Sequence, residues 1–258
     1  GDAWSEARVL LNLGNIARNA RNDLAGAERR VRRALELIRT TSDTDMRANI
    51  ASALCIILLY EDRPADAWIV IEEALGLLEQ LTPAMRSEVL QDAAIARRTL
   101  GAIDEAIGLF KQAIATAREA GVRYLEAQSL GYLAATEMVR NDLEAALAYA
   151  REAVALARAY ALPSQLTFSL SALGLVLMRL GKTAEADAAF AEVMTLVARV
   201  SSPPVRIDAA LAMAEWRMAA SDVEAARRHL AEARAMIDRG GFASYRARLE
   251  AGQRAAGL

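Results

Sequence analysis

The sequence predicts an all-α solenoid: six helical hairpins stacked in series and closed by a C-terminal capping helix. Three observations carry this expectation. The 258 residues are 54% hydrophobic but only 5% aromatic, with alanine supplying much of the apolar share. Such a balance suits closely packed helices better than sheets, which favour β-branched and aromatic side chains. Second, the polar pairs Asn22-Asp23, Asp62-Arg63, Gly101-Ala102, Asn141-Asp142, Gly181-Lys182 and Ser221-Asp222 are each followed by an alanine. These are Ala27, Ala67, Ala106, Ala146, Ala186 and Ala226, at spacings of 40, 39, 40, 40 and 40 residues. Third, the punctuation fits. Pro64, Pro83, Pro163, Pro203 and Pro204 fall where helices start and their missing N–H costs little, while Gly101, Gly121, Gly181, Gly240 and Gly241 fall where helices end.

Four further columns keep the register. Seven residues after the anchor alanine stand Ala34, Ala74, Ala113, Ala153, Val193 and Ala233; four after it stand Val31, Ile71, Phe110, Ala150, Phe190 and Leu230. Twelve before it stand Asn15, Cys55, Ala94, Ala134, Gly174 and Ala214, and sixteen before it Leu11, Ala51, Leu90, Leu130, Leu170 and Ala210. Offsets of four and seven share one helix face, so each repeat carries an apolar stripe before its turn and another after it. Small residues where the stripes meet let two helix axes approach closely.

The elements follow in order. The first hairpin spans 3–39 around Asn22-Asp23, and the second spans 43–80, with Pro64 opening its second helix. The third, 83–119, opens on Pro83, and Asp104 is placed to cap its second helix. The fourth, 122–159, follows Gly121. The fifth, 162–199, opens on Pro163 and has Thr183 as a candidate cap. The sixth, 202–239, opens on Pro203-Pro204, with Asp222 as its cap. Residues 242–256 make a polar final helix (Arg246, Arg248, Glu250, Gln253, Arg254) suited to covering the apolar end of a stack. No linker or low-complexity segment divides the chain, so one domain over 1–258 is expected.

These columns resemble the tetratricopeptide repeat (TPR) family, most clearly in Leu130, Ala134, Ala146, Ala150 and Ala153 and in Leu90, Ala94, Ala106, Phe110 and Ala113. The resemblance covers about residues 3–239. It departs in its period near 40 rather than 34, in the irregular prolines between repeats, and in Ala51 and Ala210, which replace a large residue. Long-period repeats of this type resemble sensor and effector domains of bacterial transcriptional regulators and signal-transduction ATPases.

The resemblance implies a right-handed α-α superhelix whose concave face, lined by the first helix of each repeat, binds a protein or an extended peptide. Carrying the register over assigns Asn12, Asn19, Asn49, Ser52, Gln91, Arg98, Gln128, Tyr132, Met138, Met178 and Arg179 to that groove. Glu88, Tyr60 and Asp208 occupy inward positions as well. Amides and hydroxyls would orient a peptide, and Tyr132 with the adaptable methionines would bed its apolar groups. Methionines at these positions also serve simply to fill gaps between long helices. The lysine clamp by which some TPR modules grip C-terminal carboxylates is missing, since Lys111 and Lys182 are the only lysines and neither lies on a first helix.

Other classes are excluded or weak. A net charge of −2 and arginines without interleaved aromatics make a poor nucleic-acid signature. One cysteine (Cys55) and one histidine (His229) cannot build a Cys/His zinc site or a disulfide framework. Cys55 falls in the small packing column, and His229 has no partner constellation. Gly181-Lys182-Thr183 imitates the end of a phosphate loop, but Val176 stands where its first glycine should be. No cofactor, metal or catalytic group is assigned, no run is long enough to span a bilayer, and a cytoplasmic setting is expected. Beginning at Gly1, the chain reads as a piece of a longer regulator.

Three functions fit. The first is a non-enzymatic scaffold binding protein or peptide in its groove. The second is a sensor of a small metabolite, which would need a closed cavity with convergent polar groups. The third is self-association, or docking to other domains of the parent, through the +3 charge of residues 1–40 and the −6 charge of residues 41–80.

Overall fold

The computed structural model describes residues 2–20, 23–39 and 41–258, and among these every regular element is helical. The helices are α1 (Ala3–Ala20), α2 (Leu24–Ile38), α3 (Thr44–Tyr60), α4 (Pro64–Leu75), α5 (Pro83–Thr99), α6 (Ile103–Glu119), α7 (Arg123–Arg140), α8 (Leu143–Ala159), α9 (Pro163–Arg179), α10 (Thr183–Leu196), α11 (Pro203–Ala219), α12 (Val223–Gly240) and α13 (Arg246–Ala255). Short 3-10 turns occupy Leu78–Gln80, Val197–Arg199 and Ala243–Tyr245. The helix pairs fall on the segments read from the repeat, and α13 is the expected final helix.

The polar pairs between paired helices have a common geometry. Their first residue takes the left-handed backbone conformation, with φ of 62° at Asp62, 84° at Gly101, 67° at Asn141, 70° at Gly181 and 60° at Ser221. That conformation reverses the chain and suits Gly and Asn best. The corresponding Asn22 lies outside the described residues. The second residue of the pair is the N-cap. Asp23, Asp142 and Asp222 accept hydrogen bonds from the N–H groups of Gly26, Ala145 and Ala225 at 2.8, 3.1 and 3.1 Å. Asp104 and Thr183 do not cap, contrary to expectation. Their helices start earlier, on the N-cap residues Ala102 and Lys182, which leaves both side chains inside the first turn. Prolines stand at the first or second position of α4, α5, α9 and α11.

Two compact units are built from these hairpins, one of Gly1–Leu125 with Gly240–Ser244 and one of Glu126–Arg239 with Tyr245–Leu258. In the first, α1 packs on α2, α3 on α4 and α5 on α6; α2 meets α3, α4 meets α5, and α3 touches α5 directly. In the second, α9 packs against α8, α10 and α11, and α13 lies on α11. The anchor alanines are fully buried throughout, as are Val31, Ile71, Phe110, Ala150 and Phe190 four residues on. Asn15 is the exception in the small-residue column: it is half-buried, and its Oδ1 finds no hydrogen-bond partner among the described residues.

The final helix is fastened to the second unit by polar contacts. Arg248 pairs with Glu215 at 2.8 Å and Asp208 at 3.3 Å, and Tyr245 Oη donates to Asp208 at 3.1 Å. Arg227 of α12 donates to the Ala256 carbonyl at 2.8 Å.

The tightest seam is in the second unit. A Cβ on Gly174 would stand 2.6 Å from Cε2 of Phe190. That ring cannot yield, because it is stacked at 5.1 Å on Trp216, whose Nε1 donates to Asp187 at 2.6 Å. Gly174→Ala should therefore lose about 1–3 kcal/mol in urea unfolding, despite alanine's better helix propensity. Gly108→Ala, where the added methyl meets open space, should gain about 0.5–1 kcal/mol. Equal effects at the two sites would contradict the seam.

Candidate functional site

In the first unit the first helices α1, α3 and α5 present one face, and polar side chains run along it. Asn12 and Asn19 are exposed on α1, with Asn19 Oδ1 accepting from Arg18 Nε at 3.2 Å. Asn49 and Arg98 are half-buried. Ser52 of α3 and Gln91 of α5 are more enclosed than an open trough would leave them, at 1% and 4% exposure. Between them lies Asp92, also 4% exposed, which the register did not single out. Glu88 stands one turn earlier on the same side of α5 and is half-buried.

The electrostatics of this group follow from burial. Desolvation pushes the Asp92 carboxyl well above the ordinary carboxylate range, and the charge of Glu88 adds to the effect. The Ser52 hydroxyl, Arg18 and the Gln91 amide offset part of it. Glu88 is raised too, by burial, against the pull of Arg18. The neighbours respond: burial and Glu88 raise the Tyr124 phenol, while burial and Asp92 raise the Cys55 thiol, which is fully enclosed in its packing column. Sequence periodicity brought out Ser52, Gln91 and Glu88. It missed Asp92 because an acid fourteen residues before its anchor has no counterpart in the other repeats.

In the second unit the first helices also enclose polar groups, Glu126, Ser129 and Glu137 of α7 and Thr167, Ser169 and Ser171 of α9. Gln128, Tyr132, Met138 and Met178 are half-buried. The Tyr132 ring lies tilted on Phe168, with centroids 4.8 Å apart. Gly131 makes room for that ring, since a Cβ there would stand 2.9 Å from Phe168 Cε1. Arg179 is exposed, and its Nη1 donates to the Met138 carbonyl at 3.0 Å. That carbonyl also accepts from the Asn141 N–H at 3.2 Å, so Arg179 is its second donor. Phe168 and Asp208 share the inward column of Gln128.

The remaining candidates resolve simply. Gly181-Lys182-Thr183 is the turn between α9 and α10, with a helix where a phosphate loop needs a strand. His229 is half-buried, and burial lowers its pKa. The tryptophans pack locally: Arg97 stacks over Trp68 at 3.5 Å, and Trp4 Nε1 donates to Asp43 at 2.9 Å. Arg63, one of two arginines in residues 41–80, pairs with Glu28, Glu61 and Asp66 at 2.9, 3.1 and 2.8 Å, which leaves the acidic excess of that segment in place. Among the described residues no His/Cys/Asp/Glu group is placed to hold a metal ion, and no helix is long and apolar enough to cross a membrane.

This series of hairpins, with its first-helix faces, matches solved structures. The apo form of RapI superposes with a TM-score of 0.74 over 93% of this chain and 87% of that one, at 14% identity. The Rap conjugation gene regulator of plasmid pLS20, in complex with the Phr* peptide, gives 0.73 over 98% and 76%, at 14% identity. The fold is TPR-like. A Podosopora anserina putative kinesin light chain with nearly identical TPR-like repeats gives 0.58 over 76% and 96%, at 16% identity. No family model matches this TPR-like chain, and no curated protein matches it.

The acidic pair sets a pH dependence for the TPR-like chain. Both carboxyls have folded values raised above those of the unfolded chain, so the folded state holds protons more tightly. Their contribution to stability is complete below the ordinary carboxylate values and is lost as pH rises through the raised ones. Asp92→Asn removes the larger part of this loss. Its melting temperature should rise relative to the unsubstituted chain as pH increases above the ordinary carboxylate range, by about 2–4 °C per kcal/mol recovered. A difference that stays constant with pH would show that Asp92 is not held protonated by the fold.

Proposed function

We propose that the chain is a non-enzymatic binding scaffold that receives a peptide or an extended protein segment along its first-helix faces. The observation that carries this reading is the run Ser52, Gln91 and Asp92 on consecutive first helices. The Ser52 hydroxyl and the Gln91 amide both lower the cost of burying the Asp92 carboxyl, yet apolar residues would make the seam cheaper still. Such groups suit a ligand rich in N–H and C=O, and a peptide backbone is one. Gln128 and the Tyr132–Phe168 pair offer the second unit's counterpart, an amide beside an aromatic bed. The peptide-bound Rap structure lends support as a likeness of fold. We further propose that the chain works within a larger regulator in the cytoplasm.

The test uses a displayed random-peptide library selected against the folded chain. Selected peptides should bind Asn49→Ala/Arg98→Ala, on α3 and α5 of the first unit, about thirtyfold or more weakly in calorimetry, matching the loss of about 2–4 kcal/mol expected for one charged and one neutral hydrogen bond. Arg179 is left out because its guanidinium is engaged with the Met138 carbonyl. Unchanged affinity in that double variant would remove that face from the binding site.

A small-metabolite site is the second reading, favoured by the enclosure of Ser52, Gln91 and Asp92. A ligand specific to the folded state would raise the melting temperature in a metabolite screen. A hit whose shift disappears in Gln91→Ala would favour this reading.

A further inference from the structure

The first unit contains five residues from far along the sequence, Gly240–Ser244. They run from the last residue of α12 through Gly241 and Phe242 into the 3-10 turn before α13, and nothing in the repeat register gives them a packing role. Yet Phe242 is fully buried. Its ring meets Tyr60 edge to face, with centroids 5.3 Å apart and planes at 80°. Tyr60 is the last residue of α3 and belongs to the inward column assigned to ligand contact. Two of the chain's four phenylalanines, Phe110 and Phe190, fill the hairpin seam, and Phe168 pairs with Tyr132. Phe242 alone is carried on a loop. The loop is built for reach: Gly240 and Gly241 precede the aromatic, and Gly241 takes a φ of 73°, which side-chain-bearing residues rarely adopt.

We propose that Gly240–Ser244 is a built-in ligand of the first unit, with Phe242 as its anchor in an aromatic socket at Tyr60, and that the external partner of this socket is a peptide presenting an aromatic side chain that displaces Phe242. This rests on the peptide-binding reading above and gives it a chemistry. Edge-to-face packing selects a ring over an aliphatic chain, because the positive edge of one ring meets the negative face of the other. A short tether holds Phe242 at high effective concentration, so an incoming peptide must outcompete it. The chain thereby keeps an apolar socket covered until a matching segment arrives, which limits adventitious association.

The probe is a fluorescein-labelled synthetic peptide of residues 238–247, titrated by polarisation against the full chain and its Phe242→Ala variant. The variant should bind at least tenfold more tightly than the unsubstituted chain. Binding should be lost when the peptide carries alanine in place of its phenylalanine, and again in Phe242→Ala/Tyr60→Ala. Equal affinity for the unsubstituted chain and a folded Phe242→Ala variant, or no binding to either, overturns the proposal. If Phe242→Ala fails to fold by circular dichroism, hydrogen exchange on the unsubstituted chain decides. Excess peptide should speed exchange at 242–244, and no change there overturns the proposal equally. The broader reading fails separately. Library peptides that lack an aromatic and bind with and without Phe242 alike would leave the scaffold function standing and remove the socket, whereas affinity unchanged in Asn49→Ala/Arg98→Ala would count against the face itself.

Discussion

Close approach of paired helices is the constraint on which everything else rests. The anchor alanines and the small residues twelve positions earlier let two axes draw together, and the residue four positions after the anchor then fills the space left over. Phe190 shows how little slack remains, because its ring is pressed between the hydrogen-bearing Cα of Gly174 and the face of Trp216. Large side chains in the small column would push the helices apart and rotate the first helix within its hairpin. The residues on its outward face would rotate with it. The spacing of Ser52, Gln91 and Asp92 therefore depends on alanines that never touch them.

Conservative packing in the seams makes the polar burial in the first unit more telling. A helix such as α5 could close its side with leucine and valine and gain roughly 1.5–3 kcal/mol per buried side chain. It carries instead an amide, an acid held above its ordinary pKa by burial, and a second acid one turn away. Arg18 on α1 and the Ser52 hydroxyl on α3 moderate the cost without cancelling it. Elsewhere an enclosed acid has an arginine: Glu137, at 1% exposure, is met by Arg140 at 2.7 Å. Arg151–Glu185 and Arg158–Glu192, at 2.9 and 2.7 Å, join successive second helices in the open, where solvent screens them and little desolvation is required. The enclosed acids of α5 are a different kind of feature, one that local sequence preference would remove.

The hairpins were legible because each is a local pattern repeated with little change. Turn pairs, prolines and anchor alanines all act within one helix length, and short-range chemistry survives reading along a line. Helix caps were read less well. The left-handed residue at each turn starts the second helix earlier than Asp104 or Thr183 requires, and no composition signal separates a cap from a residue in the first turn. All eleven groove residues lie on first helices, but their degree of enclosure was not legible. Ser52 and Gln91 were expected to face an open trough, whereas burial depends on what lies across from them, and that involves residues distant in sequence. Asp92 broke no pattern because it belonged to none. Phe242 was read as the start of a capping helix, since the sequence there shows only two glycines followed by an aromatic.

Phe242 also shows why repetition hides function. A column of like residues reports the architecture, because every repeat must solve the same packing problem. A residue that serves one partner appears once, off the register, and looks like noise against that background. Tyr60 and Asp92 share this character with Phe242. Each is a polar or aromatic group at a place where its counterparts in other repeats are of a different kind. In a stack whose units are nearly interchangeable, chemical individuality must come from such exceptions. The first unit gathers three of them, which is reason to look for recognition there first.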